Sequence, residues 1–206
     1  MGDIRRVVLV HGLWMPGLSM RWLAGQLARA GFVPEQFGYP TVAGGPEAAL
    51  PRLAETLGLA PAHVLAHSLG GLVTLTALQR TPDLPVARVV CLGSPLCGSA
   101  AATGLARRSL TAAALGRSAD LLRGGCQPWG GTAQVGVVAG RVPLGLGQFF
   151  GGIRGDSDGT VAVAETRLAG LADHVVVAAS HSGLLFSAAA AHQAIAFLRN
   201  GRFQHG

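Results

Sequence analysis

Short apolar runs alternate with amphipathic stretches through connections of only a few residues, and this rhythm constrains the fold of the chain more than any other feature. "IRRVVLV" (4–10) predicts a buried strand, "SMRWLAGQLARAG" (19–31) a helix with a serine cap and a closing glycine, and "FVPEQFGY" (32–39) a short extended segment in spite of its proline. A helix over 46–58 follows, which Pro51 bends or delays, then a strand around 63–66, a helix from about Gly70 to Gln79 and a strand at 86–93. "AQVGVVAG" (133–140) and "DHVVVAA" (173–179) predict two more strands, and 184–200 a closing helix that ends at Gly201. Parallel strands need a crossover, usually a helix, so the alternation predicts an α/β architecture: a mostly parallel sheet covered by helices on both sides.

The rhythm breaks once. Residues 95–131 carry alanine- and leucine-rich helical stretches and then the turn-rich "CQPWGG", directly after a strand end. They predict a small helical cap or lid over the carboxyl edge of the sheet, where sites in open α/β sheets lie. The 206 residues, half of them apolar, suit a single domain over 1–206 that holds this insertion. No apolar run reaches the roughly 18 residues of a membrane span. "MGDIRRVVLVHG" enters a patterned strand rather than a cleavage site, so no secretion signal is expected in the chain as it stands.

Cys91, Cys97 and Cys126 match neither a zinc site nor a redox CxxC spacing. They are expected to be buried free thiols in a reducing, cytoplasmic setting, with a Cys97–Cys126 bridge as the alternative in an oxidising one. The net charge of +6 is concentrated in the middle of the chain, where residues 84–155 hold seven arginines against the single acid Asp120. Arg107, Arg108, Arg117 and Arg123 fall in the insertion. They would steer anionic substrates or touch an anionic lipid surface, or else form a plain solvated face. Nucleic acid is not an expected partner, because aromatic residues are scarce between the arginines and no basic recognition helix is present. Nothing in the sequence indicates an oligomeric state.

The chemistry concentrates in "LAHSLGGLV" (65–73). A serine between a strand and a helix, with small residues around it, can be held on a strained turn with its hydroxyl clear of the sheet. Ala66 stands where a glycine is usual, and it is small enough. A serine hydroxyl is a poor nucleophile unless a base takes its proton and a carboxylate orients that base. Of the later histidines, His174 belongs to the start of a strand, His192 to the last helix and His205 to a frayed tail. His181 lies in the loop between last strand and last helix, at the same sheet edge as Ser68. The acid comes from "GDSDGTV" (155–161). Asp158 is the better placed, because Gly159 can take φ > 0 and fold the loop back toward the histidine; Asp156 is the alternative.

Taken together, "VVLVHGLW" (7–14), "AHSLGG" (66–71), "GDSDGTV" and "ASHSG" resemble the α/β-hydrolase superfamily, in particular its compact bacterial lipase- and esterase-like members, in their order Ser, Asp, His. "LGSPLCGSAAA" (92–102) adds to the resemblance, which runs from about residue 4 to 203. With no room for two leading strands, it implies a minimal sheet of about six. It further implies a serine hydrolase that cleaves carboxylic esters, small or lipid-like, through an acyl-enzyme, with no cofactor and no metal. Ser68, Asp158 and His181 would form the triad. The backbone amides of Leu69 and Leu13, or Trp14 in place of Leu13, would hold the oxyanion. His11 and Gly12 would shape the oxyanion loop and His67 would support the nucleophile. Trp14, Met15, Leu96 and Trp129 would line the acyl pocket or its mouth. A thioesterase using the same triad and a non-catalytic binding protein on this fold are the rival readings.

Overall fold

The computed structural model describes residues 4–13, 17–39, 45–98, 126–144 and 155–205. Six strands, β1 (Arg6–Val10), β2 (Val33–Phe37), β3 (Ala62–His67), β4 (Val86–Leu92), β5 (Gln134–Gly140) and β6 (Asp173–Val177), form one sheet in the order β2-β1-β3-β4-β5-β6. Every pairing is parallel. Helices α1 (Arg21–Arg29), α2 (Gly45–Gly58), α3 (Leu69–Arg80) and α4 (Ala188–Asn200) flank it.

Because side chains alternate between the faces of a strand, the apolar runs feed two cores at once. Val8 and Val10 join Val64, Ala66, Leu53, Leu57, Leu69 and Val73 on the side of α2 and α3. Val7 and Leu9 join Leu65, Leu23, Leu27, Phe197 and Leu198 on the side of α1 and α4. All six residues of β3 are buried, as suits a central strand. β2 is an edge strand, and there Pro34 is tolerated. At Gly136 a side chain would run into the Phe197 ring at 2.5 Å, so the bare backbone of β5 lets α4 lie close.

Local signals place most of these elements, and tertiary context redraws some boundaries. α1 begins at Arg21 behind a 3-10 turn (Gly17–Met20). That turn carries the helix start beyond Ser19, and Met20 occupies the cap position without a side-chain bond, so the expected serine cap is not formed. α2 starts well before Pro51 and runs through it, with one N–H missing from its ladder. The closing helix is two elements, a 3-10 turn (Gly183–Phe186) and then α4, because Ser187 turns extended and its hydroxyl accepts the Ala190 amide at 3.2 Å. α4 ends at Gly201 in the left-handed conformation. The tail beyond is docked rather than frayed: Phe203 is buried, and His205 reaches Asp173 at 2.9 Å.

Cys91 is a free, buried thiol pushed up to about 12 by desolvation. Cys97 and Cys126, expected to be free as well, are instead joined in a disulfide. The reason is tertiary. The Cys97 amide bonds to Glu165 O at 2.9 Å and the Trp129 amide to Ala169 O at 2.7 Å, so the chain leaving β4 and the chain approaching β5 run along one segment. Of the expected insertion, residues 99–125 lie outside the described residues, and with them the four arginines. No helix among the described residues is long and apolar enough to cross a membrane.

Candidate active site

The strand order reverses direction between β1 and β3, the adjacent strands from which the chain winds outward to the two edges. Crevices at such a point open at the carboxyl ends of the strands. Here those ends carry His11-Gly12-Leu13 and Ser68. Ser68 has φ +54°, and it is the single non-glycine residue at positive φ among the described residues. Such a conformation costs roughly 1–3 kcal/mol and persists only where the surroundings impose it. The Ser68 amide donates to Leu92 O at 2.9 Å, and the Gly71 amide donates to Ser68 O at 3.1 Å. A Cβ on Gly12 would stand 2.9 Å from Ser68 Cβ, and one on Gly70 would stand 2.7 Å from His11 O. Two bare glycines thus let the turn press against the end of β1. Although it caps α3, the Ser68 side chain makes no capping bond, which leaves Oγ free to point elsewhere.

It points at His181. The imidazole Nε2 lies 3.0 Å from Ser68 Oγ, and Nδ1 lies 2.7 Å from Asp158 Oδ2. A carboxylate can only accept, so the Nδ1 proton belongs in that bond and Nε2 is left to accept the serine proton. The Asp158 carboxylate is buried, and its Oδ1 accepts the Thr160 and Val161 amides at 2.9 and 2.7 Å. Gly159 takes φ +89° in this turn. Asp156 is exposed, and its carbonyl accepts the Val163 amide.

The supporting residues separate into those near this chain of bonds and those away from it. His11 is buried and stacks on Tyr39 at 4.6 Å. The Tyr39 amide donates to His11 Nε2 at 3.4 Å, the His11 Nδ1–H donates to Gly12 O at 3.0 Å, and the Tyr39 hydroxyl donates to His11 O at 3.0 Å. Burial pushes the Tyr39 phenol well above its usual range, so it stays a donor. Leu13 is partly buried against the core on the α2 and α3 side, and Leu69 and Leu96 are buried within it. His67 is buried beside Ser68, with its Nε2 3.0 Å from His181 O. Trp14 and Met15 lie outside the described residues. Trp129, expected in the pocket or at its mouth, is at the opposite edge of the sheet. It precedes β5, lines a small cavity with Leu78, Leu84 and Val86, and donates its indole N–H to Ala133 O at 2.8 Å.

Three positions escape a reading of the sequence. Gly93 has φ +56°, and a Cβ there would stand 2.8 Å from Leu184 Cδ1, 3.0 Å from Asp158 Oδ2 and 3.3 Å from His181 Nδ1. A Cβ on Gly140 would stand 2.8 Å from Asp158 Cβ. Gly93 follows β4 and Gly140 ends β5, and together they clear the space in which Asp158 and His181 meet. Tyr39 is the third. The signal for Gly93 was present in "LGSP" after a strand; nothing local marks Gly140 or Tyr39. Among the described residues no group of three His, Cys, Asp or Glu side chains is arranged to hold a metal.

The model of the alpha/beta hydrolase fold family matches residues 47–150, just over half of the chain, including β3, the Ser68 turn and β4. The chain belongs to this family. No curated protein matches the sequence of this α/β hydrolase. Among solved structures it is similar to the mature form of the Bacillus licheniformis lipase BlEst2, with a TM-score of 0.67, 20% identity and coverage of 90% of this chain and 88% of that one. The phospholipase PlaB of Legionella pneumophila gives a TM-score of 0.62 at 16% identity, over 89% of this chain and 54% of the other. The lin2722 gene product of Listeria innocua gives 0.62 at 15% identity, over 98% and 96%. At such identities the likeness is one of fold.

Proposed function

We propose that this α/β hydrolase cleaves carboxylic esters by acyl transfer through Ser68. The observation that carries the reading is the unbroken series Ser68 Oγ, His181 Nε2, His181 Nδ1, Asp158 Oδ2 at hydrogen-bond distances. In the first half-reaction His181 Nε2 takes the Ser68 proton as Oγ forms a bond to the acyl carbon, and Asp158 orients the ring and offsets the imidazolium charge. The oxyanion is held by the Leu69 amide and by Leu13, with Trp14 as the alternative donor, each such donor being worth about 3 kcal/mol in a preorganised site. His181 returns the proton to the leaving alcohol as the ester C–O bond breaks. Water then repeats the sequence on the acyl-enzyme, releasing acid and restoring the Ser68 hydroxyl. The strained Ser68 turn acts as a nucleophile elbow, and no step calls for a cofactor.

Labelling with a fluorophosphonate, followed by mass mapping, tests the reading. Modification of Ser68 is expected; no modification makes the protein a non-catalytic binder on a hydrolase fold. Nitrophenyl esters of increasing chain length assayed beside acyl thioesters then define the substrate, and a preference for thioesters assigns a thioesterase instead. The single domain over 1–206, a cap made by the part of 95–131 that precedes Trp129 and transient contact with an anionic lipid surface belong to the same proposal. A cytoplasmic compartment requires Cys97 and Cys126 to be reduced there. Thiol titration of protein taken from its native cells decides: three free thiols agree with it, and one places the protein in an oxidising compartment.

A further inference from the structure

His67 is the last residue of β3 and is 1% exposed. Its Nε2 lies 3.0 Å from the backbone carbonyl of His181. A carbonyl oxygen has no proton to give, so Nε2 carries the hydrogen and Nδ1 is bare. Nδ1 is buried without a hydrogen-bond partner among the described residues, facing Gly12. Among the described residues, the single hydrogen bond of the ring goes to His181.

The His181 backbone is therefore gripped on both sides. Its N–H donates to Asp158 O at 2.9 Å, and its C=O accepts from His67. A second series of hydrogen bonds, passing through the His181 backbone to the His67 side chain, runs beside the side-chain series in the same order: acid residue, base residue, and the neighbour of the nucleophile. Because His67 and Ser68 are joined by one peptide bond, whatever holds His181 to His67 also sets the reach of its imidazole to Ser68 Oγ. A displacement of about 1 Å at such a contact is enough to cost on the order of a hundredfold in rate. The two rings stand 4.8 Å apart, and His181 must become cationic during turnover. Desolvation, then the neighbouring His181, lowers His67 to about 3, so no second cation opposes that charge.

We propose that His67 is a positioning residue for acyl transfer: its Nε2–H clamps the His181 carbonyl and so holds the imidazole against the Ser68 hydroxyl. The proposal rests on the reading of Ser68, His181 and Asp158 as the catalytic groups. His67→Phe keeps the ring and removes the donor, whereas His67→Gln places an amide N–H near the position of Nε2. Each is compared with the wild type for kcat and KM on a nitrophenyl ester, for fluorophosphonate labelling rate and for thermal midpoint. His67→Phe should lower kcat and the labelling rate together by about tenfold or more with KM within about twofold, and His67→Gln should recover most of both. A merely structural role would lower the thermal midpoint and leave kcat per labelled site unchanged, and that result overturns the proposal, as does an equal loss in both variants. Should His67→Phe not fold, ring 15N shifts of the wild type decide, since the proposal requires a protonated Nε2 and a bare Nδ1 from about pH 5 to about pH 8. The opposite tautomer overturns it. A wild type that takes no fluorophosphonate overturns the acyl-transfer reading and this one with it; equal labelling of wild type and His67→Phe overturns this one alone.

Discussion

Asp158 and His181 are joined twice, by Oδ2 to Nδ1 at 2.7 Å and by the His181 amide to the Asp158 carbonyl at 2.9 Å. Asp158 thereby fixes both the ring and the backbone of His181. Asp158→Asn offers the ring an amide in place of a carboxylate and leaves the imidazolium without a counter-charge, so kcat for ester hydrolysis should fall by orders of magnitude, roughly 10³ or more. Asp156→Asn changes an exposed side chain whose residue contributes its backbone carbonyl to the turn, and should change kcat by less than about threefold. The reverse ranking would transfer the acid role to Asp156.

Ser68→Ala removes one oxygen that takes no part in capping α3. Ester hydrolysis should disappear while the far-ultraviolet circular dichroism and the thermal midpoint stay close to those of the wild type. Residual turnover within about tenfold of the wild type would remove Ser68 from the mechanism.

Gly93→Ala forces a Cβ into positive φ and into the space shared by Leu184, Asp158 and His181. Backbone strain and overpacking of this kind destabilise by about 1–3 kcal/mol, and here the displaced groups are also the acid and the base. Denaturant titration should show that loss together with a fall in kcat larger than any change in KM. Wild-type kcat in a correctly folded variant would show that the clearance at Gly93 does not matter.

Acid should weaken the fold before the carboxylates titrate. His67 has its folded value lowered to about 3 by burial, against about 6.5 when unfolded, so the unfolded chain takes up the proton first. The stabilisation from a neutral His67 is complete above about pH 6.5 and is lost as the pH falls toward about 3, at roughly 1.4 kcal/mol per pH unit. His67 should therefore contribute a drop of about 2 kcal/mol in the unfolding free energy measured in urea from about pH 6.5 to about pH 5, beside that of His174, which burial also lowers. His67→Gln, which has no proton to take up, should flatten that slope, and equal slopes in the two proteins would show that His67 titrates alike in both states.

Neutralising Arg107, Arg108, Arg117 and Arg123 together tests the charge of the 95–131 stretch. Charges outside the reacting centre act on encounter, so KM for anionic esters should rise more than KM for neutral esters of equal acyl length, and added salt should shrink the difference. Equal effects on both substrates, or none from salt, would leave these arginines as a solvated face.

What this chain's sequence determines by itself is whatever depends on neighbours along the chain. Apolar alternation needs no knowledge of the partner strand, so β1 to β6 and most of the helices can be read from it. The proposal of Ser68, Asp158 and His181 as the reacting groups starts from local signals, a serine among small residues, an Asp-Gly turn and a histidine after a strand, together with the sheet edge that the strand order gives Ser68 and His181. Tertiary structure decides what depends on which segments pass one another. Cys97 and Cys126 are joined because the chain leaving β4 and the chain entering β5 share a track, whereas their spacing of 29 residues carries no such information. Trp129 sits at the far edge of the sheet because strand direction, not residue type, assigns a loop to one end or the other. The space at Gly93 and Gly140, the hydroxyl of Tyr39 under His11 and the grip of His67 on His181 arise only when parallel strands bring separate stretches to one edge, since a hydrogen bond or a missing methyl group has meaning only against the atom it faces.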